Sequence, residues 1–178
     1  MPIVPDDRNW TFVLDEICPD CRFDTQSFPI ESVGALIRTN AAKWPALLAH
    51  PRATRRPNDH TWSALEYGCH VRDVFRLYRF RLGLMLDNEG PHFPNWDQDE
   101  TAIAERYDLQ DPAVVTGELM AESVLLADLF DTVSGEQWKR TGFRSDGVAF
   151  TIESFARYLL HDPEHHVHDV AEGFQAMA

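Results

Sequence analysis

Long hydrophobic runs are missing from this sequence. No stretch of about 18 apolar residues occurs, and a bilayer-crossing helix needs one. Excess positive charge is missing too: 16 lysines and arginines stand against 29 aspartates and glutamates, a formal net charge of −13. Such a surface repels phosphate backbones and anionic headgroups, so neither nucleic acid nor membrane is expected as a partner. The start, Met1-Pro2-Ile3-Val4-Pro5-Asp6-Asp7, has neither the basic residues nor the apolar core of a signal peptide. A soluble, cytoplasmic protein is the expectation. Cysteine is scarce, and with three of them any intramolecular disulfide leaves one over. At 178 residues roughly 70% of the unfolded surface can be buried, so no such staple is required. Repeats and low-complexity tracts are absent.

What remains is a chain of single-domain length, 1–178, with an irregular arm over residues 1–29 and about four helical segments. The arm carries Trp10, Phe12, Phe23 and Phe28, enough apolar surface to pack on a body, and its 10–14 stretch reads equally as a short strand. Apolar residues at three- and four-residue spacing predict a first helix over 30–49, kinked or broken at Pro45. Ser63 followed by Glu66 is a capping-box pattern, which opens a proline-free helix running to about residue 87. The 88–111 stretch reads as an ordered connection with a short helix near 101–106. Asp111-Pro112 starts a third long helix, 142–147 is rich in turn residues, and a fourth helix begins near Thr151. The fold class expected is all-α, a four-helix up-down bundle.

Histidine is plentiful, and four of the eight lie within His161-Asp162-Pro163-Glu164-His165-His166-Val167-His168. Helical residues four apart sit about 40° apart around the axis, so His161 and His165 can face one metal ion. His166 lies about 100° from His165 and faces elsewhere, while His168 is a reserve ligand. Pro163 between the pair removes one helical hydrogen bond and can start a new segment with Asp162 as its cap. A third ligand must come from another helix, and His70, in line with Val74 and Leu77 on the second, suits it. His50, His60 and His92 lie in loops or at a helix end. A core or boundary histidine and a solvated tail cluster are the plainer alternatives. A ferritin-type dinuclear site is excluded, because paired glutamates and Glu-x-x-His are missing.

Around these residues lie Glu66, Asp73, Asp162, Glu164 and Asp169, which either orient imidazoles or serve as caps and surface charge. Arg72, Arg76, Arg79 and Arg81 form a basic stretch, able to collect an anionic substrate or to pair with neighbouring acids. Cys18-Pro19-Asp20-Cys21 is a CxxC without a second pair. It reads as a structural turn, a redox pair, or half a zinc knuckle completed by histidine or a second chain. Cys69 faces about 100° from His70 and reads as a small buried residue.

The stretch Trp62-Ser63-Ala64-Leu65-Glu66-Tyr67-Gly68-Cys69-His70, joined to the HxxxH element at 161–169, resembles the DinB-like superfamily over residues 30–175. That group of four-helix metalloproteins includes mycothiol-dependent maleylpyruvate isomerase and bacillithiol S-transferases. The resemblance implies His70, His161 and His165 as ligands of a divalent ion, zinc or nickel, with an open position and often a homodimer. It implies metal-dependent transfer or isomerisation of a small-molecule substrate with a low-molecular-weight thiol such as mycothiol. A non-catalytic metal-binding stress-response protein is the alternative. Many members continue with a His-Arg-Gly-Gln-like run where this chain has His166-Val167-His168-Asp169, so substrate-binding residues do not carry over.

Overall fold

The computed structural model describes residues 8–178, and the Met1–Asp7 segment read above for a leader lies outside the described residues. The arm opens with a 3-10 turn over Trp10–Leu14, whose N-cap Asn9 accepts from the Thr11 amide; this stretch is helical rather than a strand. After a 3-10 turn at Ile30–Ser32 comes α1 (Val33–Ala41). A break then separates it from α2 (Trp44–Leu48), where Pro45 occupies the first turn and its missing amide leaves no bond unmade. The capping box forms as the sequence predicts: α3 (Ala64–Asp87) starts from Ser63, whose hydroxyl accepts from the Glu66 amide. Then follow β1 (His92–Phe93), α4 (Gln98–Ala104), and α5 (Pro112–Asp131), capped by Asp111. The chain closes through β2 (Thr141–Arg144), β3 (Ala149–Thr151) and α6 (Ile152–Ala176).

The protein is a four-helix bundle of α1, α3, α5 and α6: α3 packs on α5 and α6, and α1 packs on the same two. Trp44, Phe75, Leu82, Met85, Leu119 and Phe155 are among the side chains that fill the core. Burial of such side chains contributes about 1.5–3 kcal/mol each. The small sheet was not anticipated. The turn-rich 142–147 interval is a hairpin, in which Gly142 pairs with Phe150 and Gly147, at φ +95°, makes the turn. β1 joins β2 in parallel, His92 opposite Phe143. Gly142 is required by close approach, since a Cβ there would lie 2.8 Å from Met85 Cγ and 2.9 Å from Phe93.

Two further points bear on the site. α6 runs unbroken through Pro163, so Asp162 is a mid-helix side chain and not the cap of a new segment. The arginines of α3 are partnered: Arg72 with Asp73 and Glu118, Arg76 with Asp73 and Glu122, and Arg79 with Glu122. Arg81 donates to the Pro94 carbonyl and lies over the Phe93 ring. No helix among the described residues is long and apolar enough to cross a membrane.

Candidate metal centre

Where α3 faces α6, the arm folds across and a cleft of about 690 Å³ opens. Trp10, Trp62, Trp96, Tyr67 and Tyr158 line it, with the α6 residues His161, Asp162, His165, His166 and Asp169. Two groups of metal-competent donors lie here, each with its ligand atoms within 4.8 Å of one another. Both use the four-residue spacing of α6, offset by one position, so they turn about 100° apart around the helix.

The first group is His70, Asp162 and His166. His70 is fully buried on α3, stacked on Trp96 at 5.3 Å and flanked by Trp62 at 5.5 Å, so its ring is fixed by packing. Its Nε2 lies 3.3 Å from Asp162 Oδ1, and His166 Nε2 lies 3.8 Å from the same oxygen. The orientation of His166 is set from behind, where its Nδ1 donates to Asp169 Oδ2 at 2.8 Å. When the ring is neutral, that bond leaves Nε2 to carry the lone pair, on the side of Asp162 and His70. Burial alone would raise the Asp162 carboxyl, but the imidazoles of His70 and His166 hold it well below the usual range. It is therefore a carboxylate at neutral pH. His70 Nε2 is paired with Asp162 Oδ2 at 3.5 Å, while Asp162 Oδ1 makes no hydrogen bond and His70 Nδ1 has no partner.

The second group is Cys18, Cys21, His161 and His165. Cys18 Sγ lies 3.6 Å from His165 Nδ1, and the other nitrogen of that ring, Nε2, faces Asp169 Oδ1 at 3.5 Å. Asp169 thus touches a histidine of each group. Burial, reinforced by the neighbouring His165, lowers His161 to about 4, so it is neutral at physiological pH. Its Nε2 is buried without a hydrogen-bond partner. Burial also lowers His165, against the pull of Asp169, and pushes the Cys21 thiol up to about 12 with Cys18 adding to the rise.

His70, His161 and His165 do not gather into one such group among the described residues: His70 falls in the first, the other two in the second. Sequence reasoning placed Asp162 among flanking acids and turned His166 away. The signal for both was available, because 162 and 166 repeat the 161/165 spacing one residue on. The remaining expected residues have other partners. Glu66 is held in its cap and by Arg56, Glu164 pairs with Lys43 at 2.7 Å, and His168 lies 3.5 Å from Glu172. His50 stacks on Phe174 and His92 on Phe143. Cys69 is buried, with its thiol raised to about 12 by that burial.

Unpartnered buried donors suit a cation, since a buried polar atom left unbonded costs about 1–3 kcal/mol. Imidazole with carboxylate, and imidazole with thiolate, are both donor sets that divalent transition ions accept. Among curated proteins none matches the chain. Among solved structures it is similar to YfiT from Bacillus subtilis, described as a probable metal-dependent hydrolase with an unusual four-helix bundle topology. The identity is 18%, with a TM-score of 0.66 over 99% of this chain and 94% of that one. The sequence model of the DinB superfamily matches residues 33–170, from α1 through the histidine-rich part of α6, and the chain belongs to that superfamily.

Proposed function

We propose that the protein is a divalent-metal-dependent enzyme whose ion is held by His70, Asp162 and His166 and that it activates a low-molecular-weight thiol for transfer or isomerisation. The observation that carries this is the convergence of two imidazoles and one carboxylate from α3 and α6 beside a cleft large enough for two small molecules. Three protein ligands leave a position open, and a bound divalent ion lowers the pKa of a thiol or water that occupies it. Each side chain then has a separate duty. His70 is immobilised between Trp62 and Trp96, His166 is aimed by Asp169, and Asp162 brings the negative charge that offsets part of the cation's. In this reading His161 and His165, expected to share one triad with His70, do not hold this ion.

YfiT's description as a probable hydrolase supports a second reading, water in place of the thiol at the same position. Both are tested together. Metal content is measured on wild type, His70→Ala and Asp162→Asn, alongside loss of free thiol against a reactive electrophile and hydrolysis of an activated ester. Expected is the loss of one metal equivalent and of thiol turnover in both variants, and loss of turnover in chelated wild type. Unchanged metal content in the variants would refute the site. Ester hydrolysis without thiol turnover would select water, and normal metal content without any turnover would leave the ion a non-catalytic role.

A further inference from the structure

The CxxC of the arm and the HxxxH of α6 are not used by the site above, yet they meet. We infer that Cys18, Cys21, His161 and His165 form a second, closed, four-coordinate site for a zinc-class ion, which fastens the N-terminal arm to α6.

The geometry carries the argument. A tetrahedral ion with metal–sulfur bonds of about 2.3 Å and metal–nitrogen bonds of about 2.0–2.1 Å has a sulfur-to-nitrogen edge of about 3.6 Å. Cys18 Sγ and His165 Nδ1 are 3.6 Å apart. All four donors lie within 4.8 Å of one another, so little movement separates them from a common centre. The two imidazoles present different nitrogens, as their surroundings require. His165 turns Nδ1 toward Cys18 while its Nε2 faces the Asp169 carboxylate, an outer contact that orients a ligating histidine. His161 has its buried Nε2 without any other partner.

The arm is shaped for this. Between the cysteines the chain makes a tight turn, in which the Arg22 amide donates to the Cys18 carbonyl at 3.0 Å and the Cys18 amide donates to the Phe23 carbonyl at 3.1 Å. Arg22 takes φ 62°, a left-handed conformation that a residue with a side chain adopts at a cost. The turn brings both sulfurs to one side, and the Phe23 amide hydrogen-bonds to Cys21. A redox pair would explain the CxxC but not two histidines aimed at it. Both cysteines are free thiols.

Charge and protons balance. Binding replaces the two thiol protons, which pass to solvent, and the two thiolates cancel the charge of the divalent ion. A neutral centre of this kind tolerates the burial found here, where an uncompensated charge would not. With four protein donors it has no open position, so it holds structure and does no chemistry. Its effect on the neighbouring cleft is indirect. Trp10, whose ring lies 5.3 Å from His161 and 4.9 Å from His165, forms one wall, so the clasp sets the position of that wall.

Cobalt titration of the reduced, metal-stripped full chain tests the proposal. Wild type is expected to take two equivalents, one of which produces a sulfur-to-cobalt charge-transfer band and the intense visible bands of tetrahedral cobalt. Cys18→Ser/Cys21→Ser and His161→Ala should lose that band and one equivalent. His70→Ala and Asp162→Asn should keep it and lose the other. X-ray absorption of wild type loaded with two equivalents of zinc, which needs no variant to fold, should show on average about one sulfur per zinc, the two cysteine sulfurs of the clasp being shared over two ions. Absence of sulfur from the metal shell of reduced wild type would overturn the inference, as would a Cys18–Cys21 disulfide in protein purified without oxidant. One equivalent in all, lost alike in His70→Ala and His161→Ala without any sulfur signal, would overturn it in favour of a single three-histidine centre. Failure of the catalytic reading alone would leave the sulfur band intact.

Discussion

Glu66 offers the sharpest test of how α3, and with it His70, is held. Its side chain is 4% exposed, and it accepts from the Ser63 amide and hydroxyl, each at 2.8 Å, and from Arg56 Nε at 2.9 Å. Glu66→Ala removes the reciprocal half of the capping box, a loss of about 1 kcal/mol. It also leaves Arg56 without its carboxylate. Breaking a buried pair costs about 3–5 kcal/mol, but Arg56 is 23% exposed and regains some water, so about 2 kcal/mol applies. The sum, about 3 kcal/mol, corresponds to a fall in Tm of about 6–12 °C for a domain of this size. Glu66→Gln keeps an oxygen for the Ser63 amide and should fall about half as far. The contribution also depends on pH. Burial works to raise the Glu66 carboxyl, but Arg56 and Ser63 overcome it and depress the folded value. A depressed acid stabilises above its unfolded pKa, about 4.3, and loses that stabilisation as pH falls through the folded value. The Tm gap between wild type and Glu66→Gln should therefore stay constant at neutral pH and close below about pH 4. Thermal denaturation by circular dichroism, with metal content measured beside it, is the assay. A Tm for Glu66→Ala within about 2 °C of wild type would refute the cap-and-pair account. So would loss of metal in a variant that remains folded, since every Glu66 contact described here leads away from the ion.

Asp73 is a second fixed point on α3, accepting from the Tyr107 hydroxyl at 2.5 Å and from Arg72 at 2.9 Å. Asp73→Ala should cost about 3 kcal/mol in urea denaturation, and Tyr107→Phe about 1–1.5 kcal/mol. Arg79→Ala, which removes a half-exposed cation opposite Glu122, should cost under about 1 kcal/mol, with the difference from wild type shrinking in high salt. Gly142→Ala should destabilise by about 1–3 kcal/mol, because Met85 and Phe93 already occupy the space a Cβ needs; an unchanged urea midpoint would show that they yield freely.

The parts of the fold set by local chemistry were legible in the sequence. Ser63–Glu66 and Asp111-Pro112 start helices where their caps predict, and Pro45 divides the first helical pattern as its missing amide requires. The sheet was hidden because its strands are two to four residues long, and one of them comes from a distant connection. Within the site, a histidine pair and a histidine on α3 were visible as chemistry. Their grouping was not, because two i,i+4 pairs offset by one residue are equally regular in sequence. Only the placement of His70 on one side of α6 and of the arm on the other divides them. Pro163 blurred the picture further, since a proline that breaks most helices is accommodated within this one.

The contact between the arm and α6 has a consequence for the unfolded chain. Cys18 and His165 are 147 residues apart, so joining them closes nearly the whole polypeptide into a ring. Closing a flexible loop of that length costs about 4.4 kcal/mol of chain entropy beyond its length-independent part. The arm should therefore settle after the bundle has already brought the distant ends of the chain near one another. Any bond that persists across this contact restricts the denatured ensemble far more than one made within a helix. Joining the two ends is thus the most effective place to stabilise the molecule without touching its core.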